Sequence, residues 1–208
     1  MRSYPSAFLF LTLLGSCSFV QDYEVKQWNG RLSAPLSLAG DVTLEGSSSS
    51  VDSDFNEESY AITLEAENED GWAPYFGYGR GSWKFDWAQE IDFERFTAGS
   101  RYYMEDIGDE DSFLFANTRP YFNGGVSYYM PDGFFAGADR HTMDSAYSLQ
   151  LGAGLQRFFK EDLFVELGAQ LTFGSADENI RNEVTTATAN VDWEWDDITL
   201  LFGIGKRF

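Results

Sequence analysis

The stretch that most constrains this chain is its last, Ile198 to Phe208, which reads I-T-L-L-F-G-I-G-K-R-F. Counting back from the end, Phe208, Ile204, Phe202 and Leu200 share one parity, and Arg207, Gly205, Gly203 and Leu201 share the other. In a strand, successive side chains face opposite sides, so this segment presents an apolar face and a small-or-polar face. A final strand of that kind leaves backbone N–H and C=O groups unpaired along one edge. In a bilayer no water satisfies them, so the strand has to pair with another and close a ring.

The same alternation recurs upstream. Leu36, Leu38, Val42 and Leu44 share a parity, and Tyr60, Ile62, Leu64 and Ala66 do so opposite Thr63, Glu65 and Glu67. Phe96, Ala98, Tyr102 and Met104 alternate with Arg95, Thr97 and Arg101, and Phe122, Val126 and Tyr128 with Arg119, Tyr121, Asn123 and Ser127. Leu149 to Gln156 and Leu163 to Phe173 repeat the pattern. The segment around Tyr75 to Asp86 also reads as a strand, but Gly77, Gly79, Gly81, Trp83 and Phe85 share one parity, which leaves its facing open. The sum is about eight strands of roughly ten residues, the length a tilted strand needs to cross a bilayer. The expected fold is all-β, a transmembrane antiparallel up-and-down barrel over residues 35–208. Aromatic residues at 17% and 20 glycines suit such a wall.

Before the barrel, residues 1–17 read as a signal peptide. Arg2 supplies the charge, and Ala7 to Leu14 form an apolar core too short to span a membrane as a helix. Leu14-Gly15-Ser16-Cys17 resembles a lipoprotein signal box, in which Cys17 is the lipid attachment point; ordinary cleavage near Ser16 to Ser18 is the alternative. Residues 18–34 are expected to be a polar periplasmic lead-in. With an even strand count both ends lie on the periplasmic side. The short turn Lys160-Glu161-Asp162 then also lies there, and long polar loops at residues 46–58, 130–146 and 174–197 lie outside.

Charge narrows the partners. With 34 Asp+Glu against 14 Lys+Arg, the net charge is -20, so no nucleic-acid partner is expected. The acidic loops would attract divalent cations instead. Asp52, Asp54, Asn56 and Glu58 have the opening spacing of a calcium loop, but Glu57 stands where that loop needs Gly and Thr63 where it needs Glu, so no metal site is assigned. Cys17 and His141 are single in the chain, which excludes a disulfide framework and a zinc site of several Cys and His ligands. His141, near Asp139, Asp144 and Ser145, is the one candidate for hydrolytic chemistry, and it reads best as an ordinary loop residue. No catalytic residue and no cofactor are expected.

Inside an eight-stranded barrel, side chains just fill the space. The inward Glu65, Glu67, Arg95, Arg101, Arg119 and Glu166 are therefore expected to pair, because lone buried charges are too costly. They would form either an ionic core or the lining of a gated path.

From about Leu36 onward the chain resembles the small eight-stranded OmpA-like outer-membrane barrels. The segments that carry the resemblance are P-Y-F-N-G-G-V-S-Y from Pro120, L-G-A-G-L-Q from Leu151, and the ending. In that family a terminal aromatic preceded by alternating apolar residues is read by the barrel-assembly machinery. The resemblance gives that role to Phe208, Ile204, Phe202 and Leu200. Lys206 departs from the pattern, whose third-last residue is usually apolar, although its stem can snorkel. The resemblance implies a bacterial outer-membrane location, with outer-membrane lipid and lipopolysaccharide as neighbours. The interior charges, His141 and the acidic loops, weighed together, lead to the expectation of a non-enzymatic envelope scaffold or surface interaction protein acting through those loops. A narrow ion or small-solute channel is the alternative, ahead of a lipid-modifying barrel enzyme.

Overall fold

A computed structural model describes residues 23–46, 50–85, 90–107, 116–159 and 162–208. The signal segment with Cys17, Asp86 at the end of the expected third strand and Lys160-Glu161 of the expected tight turn lie outside them. Among the described residues nine strands follow in order: β1 (Gln27–Gly46), β2 (Ser50–Glu67), β3 (Trp72–Phe85), β4 (Ile91–Tyr103), β5 (Thr118–Pro131), β6 (Phe134–Ala136), β7 (Asp139–Phe159), β8 (Leu163–Asn182) and β9 (Thr188–Arg207). Eight of them form the wall, each antiparallel to its neighbours, and β9 pairs with β1 to close the ring. The three-residue β6 folds back onto β7 alone.

Outward residues form an apolar belt. Leu32, Ile62, Phe76, Phe122, Leu151, Leu167 and Phe202 occupy its middle, all exposed. Trp28, Trp72, Tyr102, Phe159 and Phe208 ring the end that carries the termini, and Tyr60, Tyr128, Tyr147 and Phe173 ring the other. An apolar band between two aromatic girdles is the outer surface of a barrel that spans a bilayer.

Several boundaries differ from the sequence reading. Residues 27–34 are not lead-in but the lower half of β1. Trp28 and Leu32 face out, whereas Asn29 and Arg31 are buried inside, so the polarity that suggested a linker is that of an inward face. The chain is already docked before the strand begins. The Tyr23 hydroxyl donates to the Trp72 carbonyl at 2.6 Å and also bonds the Ala66 carbonyl, and burial together with nearby Glu67 pushes its phenol up to about 12.

The segments expected as long outer loops are largely strand. β8 and β9 stay paired from Leu163–Lys206 up to Arg181–Thr188, and β2 begins at Ser50. Facing also changes within β1. Leu36 and Leu38 point outward as expected, but Val42 is 1% exposed and points inward. The register slips between Ser37 and Ala39, and one extra residue reverses every side chain beyond it. The open facing of β3 resolves with Ala73, Tyr75, Gly77, Gly79, Trp83 and Phe85 inside and Trp72, Phe76 and Arg80 outside.

Two inward glycines make room for bulky neighbours. A methyl group at Gly154 would strike the Tyr121 hydroxyl, and one at Gly174 would strike the indole of Trp195. Gly154→Leu and Gly174→Leu are each expected to destabilise the folded barrel by about 1–3 kcal/mol through overpacking. The lipid-facing Ala169→Leu should be tolerated. The temperature at which folded barrel is lost in detergent, read by gel mobility before and after heating, checks all three.

Candidate functional site

The barrel interior is built in levels along the axis, starting at the end that carries the termini. There Glu67 of β2 meets Arg119 of β5 in a two-pronged pair, Nη1 to Oε1 at 2.6 Å and Nη2 to Oε2 at 2.8 Å. Arg119 Nε donates to Gln156 at 2.8 Å, and its guanidinium lies 3.6 Å from the centre of the Tyr103 ring. Glu67 also accepts from Gln27 and Asn29, both from the segment that reads as linker in the sequence.

The next level is centred on Glu166 of β8. It accepts from Arg101 at 2.5 and 3.2 Å, from Arg31 at 3.0 Å and from the Tyr121 hydroxyl at 2.9 Å. Glu65 closes the lattice, 2.8 Å from Arg31 and bonded to the Tyr103 hydroxyl at 2.6 Å. Two arginines and two glutamates thus share one dry layer. Burial makes each charge expensive, and mutual pairing is what makes it tolerable, while Arg31 Nε and Arg101 Nε have no hydrogen-bond partner among the described residues.

Above this layer lies a polar chamber of about 50 Å³, with walls that include Thr63, Asn123, Gln150, Gln170 and Thr172. Its ceiling is a third pair, Arg95 to Glu57 at 2.5 Å, with the Tyr129 hydroxyl on the same carboxylate at 3.3 Å. Over the ceiling sits an aromatic plug. Trp83 lies 5.0 Å from Phe93, 5.2 Å from Tyr129 and 5.4 Å from Trp195, ring centre to ring centre, with Phe55 against the same cluster. Val42, Ile91, Ala146 and Ala176 fill the remaining gaps.

All six interior residues named from the sequence face inward and are ion-paired, but not as one cluster. Glu65, Arg101 and Glu166 share a layer, Glu67 with Arg119 forms the layer below, and Arg95 stands above the chamber. Arg31 and Glu57 are the partners that sequence reasoning missed, one placed in the lead-in and the other in a loop. The signal was there in both cases. Arg31 alternates with Gly30 and Leu32, and Glu57 shares the parity of Glu65 and Glu67.

Phe208, Ile204 and Phe202 face outward, Leu200 is half-buried on the same parity, and the Phe208 N–H donates to the Trp28 carbonyl at 2.8 Å. His141 Nδ1 bonds Glu178 at 2.7 Å, and its ring stacks on Phe134 at 4.4 Å. Asp52, Asp54, Asn56 and Glu58 lie on the extended strand β2 rather than in a loop. Among the described residues, no three Asp, Glu, His or Cys side chains converge on a metal position.

Beyond the upper girdle, β8, β9, β1 and β2 continue as a sheet with an acidic outer face. Asp41 lies opposite Asp54 on one side and Asp196 on the other; Glu45 lies opposite Asp192, which in turn lies opposite Asp177. Thr43 separates Asp52 from Glu194 and donates to Asp52 at 2.9 Å.

No protein-family description matches the chain, and no curated protein does. Solved structures do match. The outer membrane protein OprG from Pseudomonas aeruginosa superposes with a TM-score of 0.65 at 13% identity, over 90% of this chain and 98% of its own. This chain has the fold of the small eight-stranded outer-membrane β-barrels. AlkL, an outer membrane protein solved by solid-state NMR in lipid bilayers, matches with a TM-score of 0.61 at 13% identity, over 89% and 92%. Neisserial surface protein A matches with a TM-score of 0.50 at 14% identity, over 87% and 97%. At such identities the likeness concerns the fold, and the interior has to be read from its own residues.

The ionic layers yield a direct test. Arg119→Met leaves Glu67 buried without its cation and is expected to destabilise the barrel by about 3–5 kcal/mol, whereas Arg119→Met with Glu67→Leu should cost clearly less. Folded fraction against urea in detergent or lipid measures both.

Proposed function

We propose that the protein is a closed, non-enzymatic barrel of the bacterial outer membrane that serves as an envelope scaffold and meets its partners outside the membrane. The observation that carries this reading is the interior itself. Paired arginines and glutamates fill the lower half, and the plug of Trp83, Phe55, Phe93, Tyr129 and Trp195 fills the upper mouth. A general pore needs a continuous water path, which these two fillings interrupt at separate heights.

The surface that remains for function is the acidic sheet above the girdle. Like charges directly opposite on neighbouring strands repel. The in-register carboxylates of Asp41, Asp54 and Asp196 therefore favour a diffuse layer of divalent cations over a coordinated metal. Such a layer supports contact with anionic envelope material, lipopolysaccharide included. The barrel-assembly machinery is the proposed reader of Phe208, Ile204, Phe202 and Leu200, and Cys17 is the proposed lipid attachment point.

A narrow channel is the second reading, and the chamber of about 50 Å³ favours it. Planar-bilayer recording separates the two. The scaffold reading expects no steady conductance from the wild type. It also expects none from Arg101→Ala, because the aromatic plug stands above the opened layer. Steady current through either protein means that the barrel conducts. Assembly is tested separately: removing Phe208 should lower folded barrel in the membrane at unchanged synthesis, and unchanged levels would remove the terminal residue from that role.

A further inference from the structure

Six carboxylates are buried among the described residues: Glu57, Glu65, Glu67, Glu166, Glu178 and Asp197. Five of them are in contact with a basic side chain. Glu57 has Arg95, Glu65 has Arg31, Glu166 has Arg101, Glu67 has Arg119, and Glu178 has the ring of His141. Asp197 is 5% exposed and has no basic partner among the described residues. Its side-chain partners are two hydroxyls, Ser37 Oγ donating to Oδ1 and Thr199 Oγ1 to Oδ2, each at 2.6 Å. The four buried arginines of the lumen are already committed to the other acids. One positive charge is therefore missing from the interior, and a lone buried carboxylate is too costly to leave bare.

The surroundings of Asp197 are rich in oxygen. Thr172 of β8 stands directly opposite it on the neighbouring strand, and Ser37 of β1 pairs in register with Thr199 of β9. Ser37 and Thr199 each spend their hydrogen on the carboxylate and keep oxygen lone pairs for another partner. The register slip of β1 begins at Ser37, and a bulge leaves one residue outside the ladder, a source of further backbone oxygen. Thr172 and Thr199 are also walls of the polar chamber of about 50 Å³. A chamber of that size has room for roughly three to five water-sized occupants. Carboxylate, hydroxyl, carbonyl and water oxygens are the ligands of hard cations. One carboxylate balances one positive charge. A divalent ion would bring a surplus charge into a dry interior, and no three acids converge on a metal position among the described residues.

We propose that Asp197 binds a monovalent metal cation beside the chamber. Ser37, Thr199 and Thr172 supply hydroxyl oxygens, and chamber water completes the shell. The ion gives the sixth buried carboxylate its counter-charge and ties β1, β8 and β9 together where the β1 register slips. With the aromatic plug above and the ionic layers below, it is taken up as the barrel closes. The site needs only the interior geometry, so it holds for the scaffold and for the channel alike.

The test refolds the full-length protein into detergent at neutral pH, in sodium chloride or in N-methylglucamine chloride at equal ionic strength. Folded fraction against urea is read by heat-modifiable gel mobility. The wild type is expected to be more resistant in sodium. Above the dissociation constant its apparent folding equilibrium should rise about tenfold for each tenfold rise in sodium, as binding of a single ion requires. Asp197→Asn should lose that dependence and, without sodium, be at least as stable as the wild type, because the buried charge is gone. Asp196→Asn, altered on the outward face of the same strand, should keep it. Equal resistance of the wild type in the two salts, or a sodium gain that survives Asp197→Asn, would overturn the proposal. So would an infrared band of a protonated carboxyl, seen in sodium at neutral pH and absent from Asp197→Asn, which would make a proton the occupant. None of these outcomes bears on conductance or assembly, so the site can fail while the scaffold reading stands.

Discussion

The structure depends on one constraint: charges placed inside a closed wall must find partners there. Arg31, Arg101, Glu65 and Glu166 are nearly dry, and no water outside the barrel can reach them without passing other side chains. Each is held by at least two polar contacts, and the lattice ties β1, β2, β4 and β8 together across the lumen. The wall is fixed by backbone ladders; its filling is fixed by this pairing. Replacing the lattice with apolar residues is one way to fill an interior, and the upper half of the same barrel does that with aromatic rings.

The two fillings divide the work differently. The ionic layers specify which strand faces which, because an arginine displaced by one register step loses its carboxylate. The aromatic plug specifies little register but excludes water, since tilted and edge-on rings at 5–6 Å leave no polar path. Between them the chamber is the place where neither rule applies fully. Its walls are hydroxyls and amides, groups that tolerate both water and one another.

Much of this was legible in the sequence. Strand identity and facing followed from period-2 alternation wherever the inward residues were large or charged, as with Arg95, Arg101 and Arg119 on β4 and β5. Four kinds of feature escaped. The lower half of β1 looked like a linker because Asn29, Arg31 and Ser33 are polar, and the apolar residues between them were not read as a face. The bulge at Ser37–Ala39 left no mark in a sequence where Leu36, Leu38, Val42 and Leu44 appear to continue one stripe. The upper strands looked like loops because both of their faces change character above the membrane: outward residues become acidic, and inward ones such as Trp193 and Trp195 become aromatic. Pairing between Arg95 and Glu57 is a long-range fact that no local pattern contains.

The unbroken β8–β9 ladder has a mechanical meaning. From Phe173 at the upper girdle to Asn182 at the turn there are nine residue steps, roughly 20–30 Å of height once strand tilt is allowed for. The turn at its tip donates from Glu183 N–H to the Ala138 carbonyl of the neighbouring hairpin at 3.0 Å, so two tips are lashed together. What stands above the bilayer is therefore a stiff mast. It carries its acidic face and the exposed Phe135 and Val184 clear of the headgroup layer, and a pull on the tips would be felt as shear along hydrogen-bonded ladders that run down to the opposite rim.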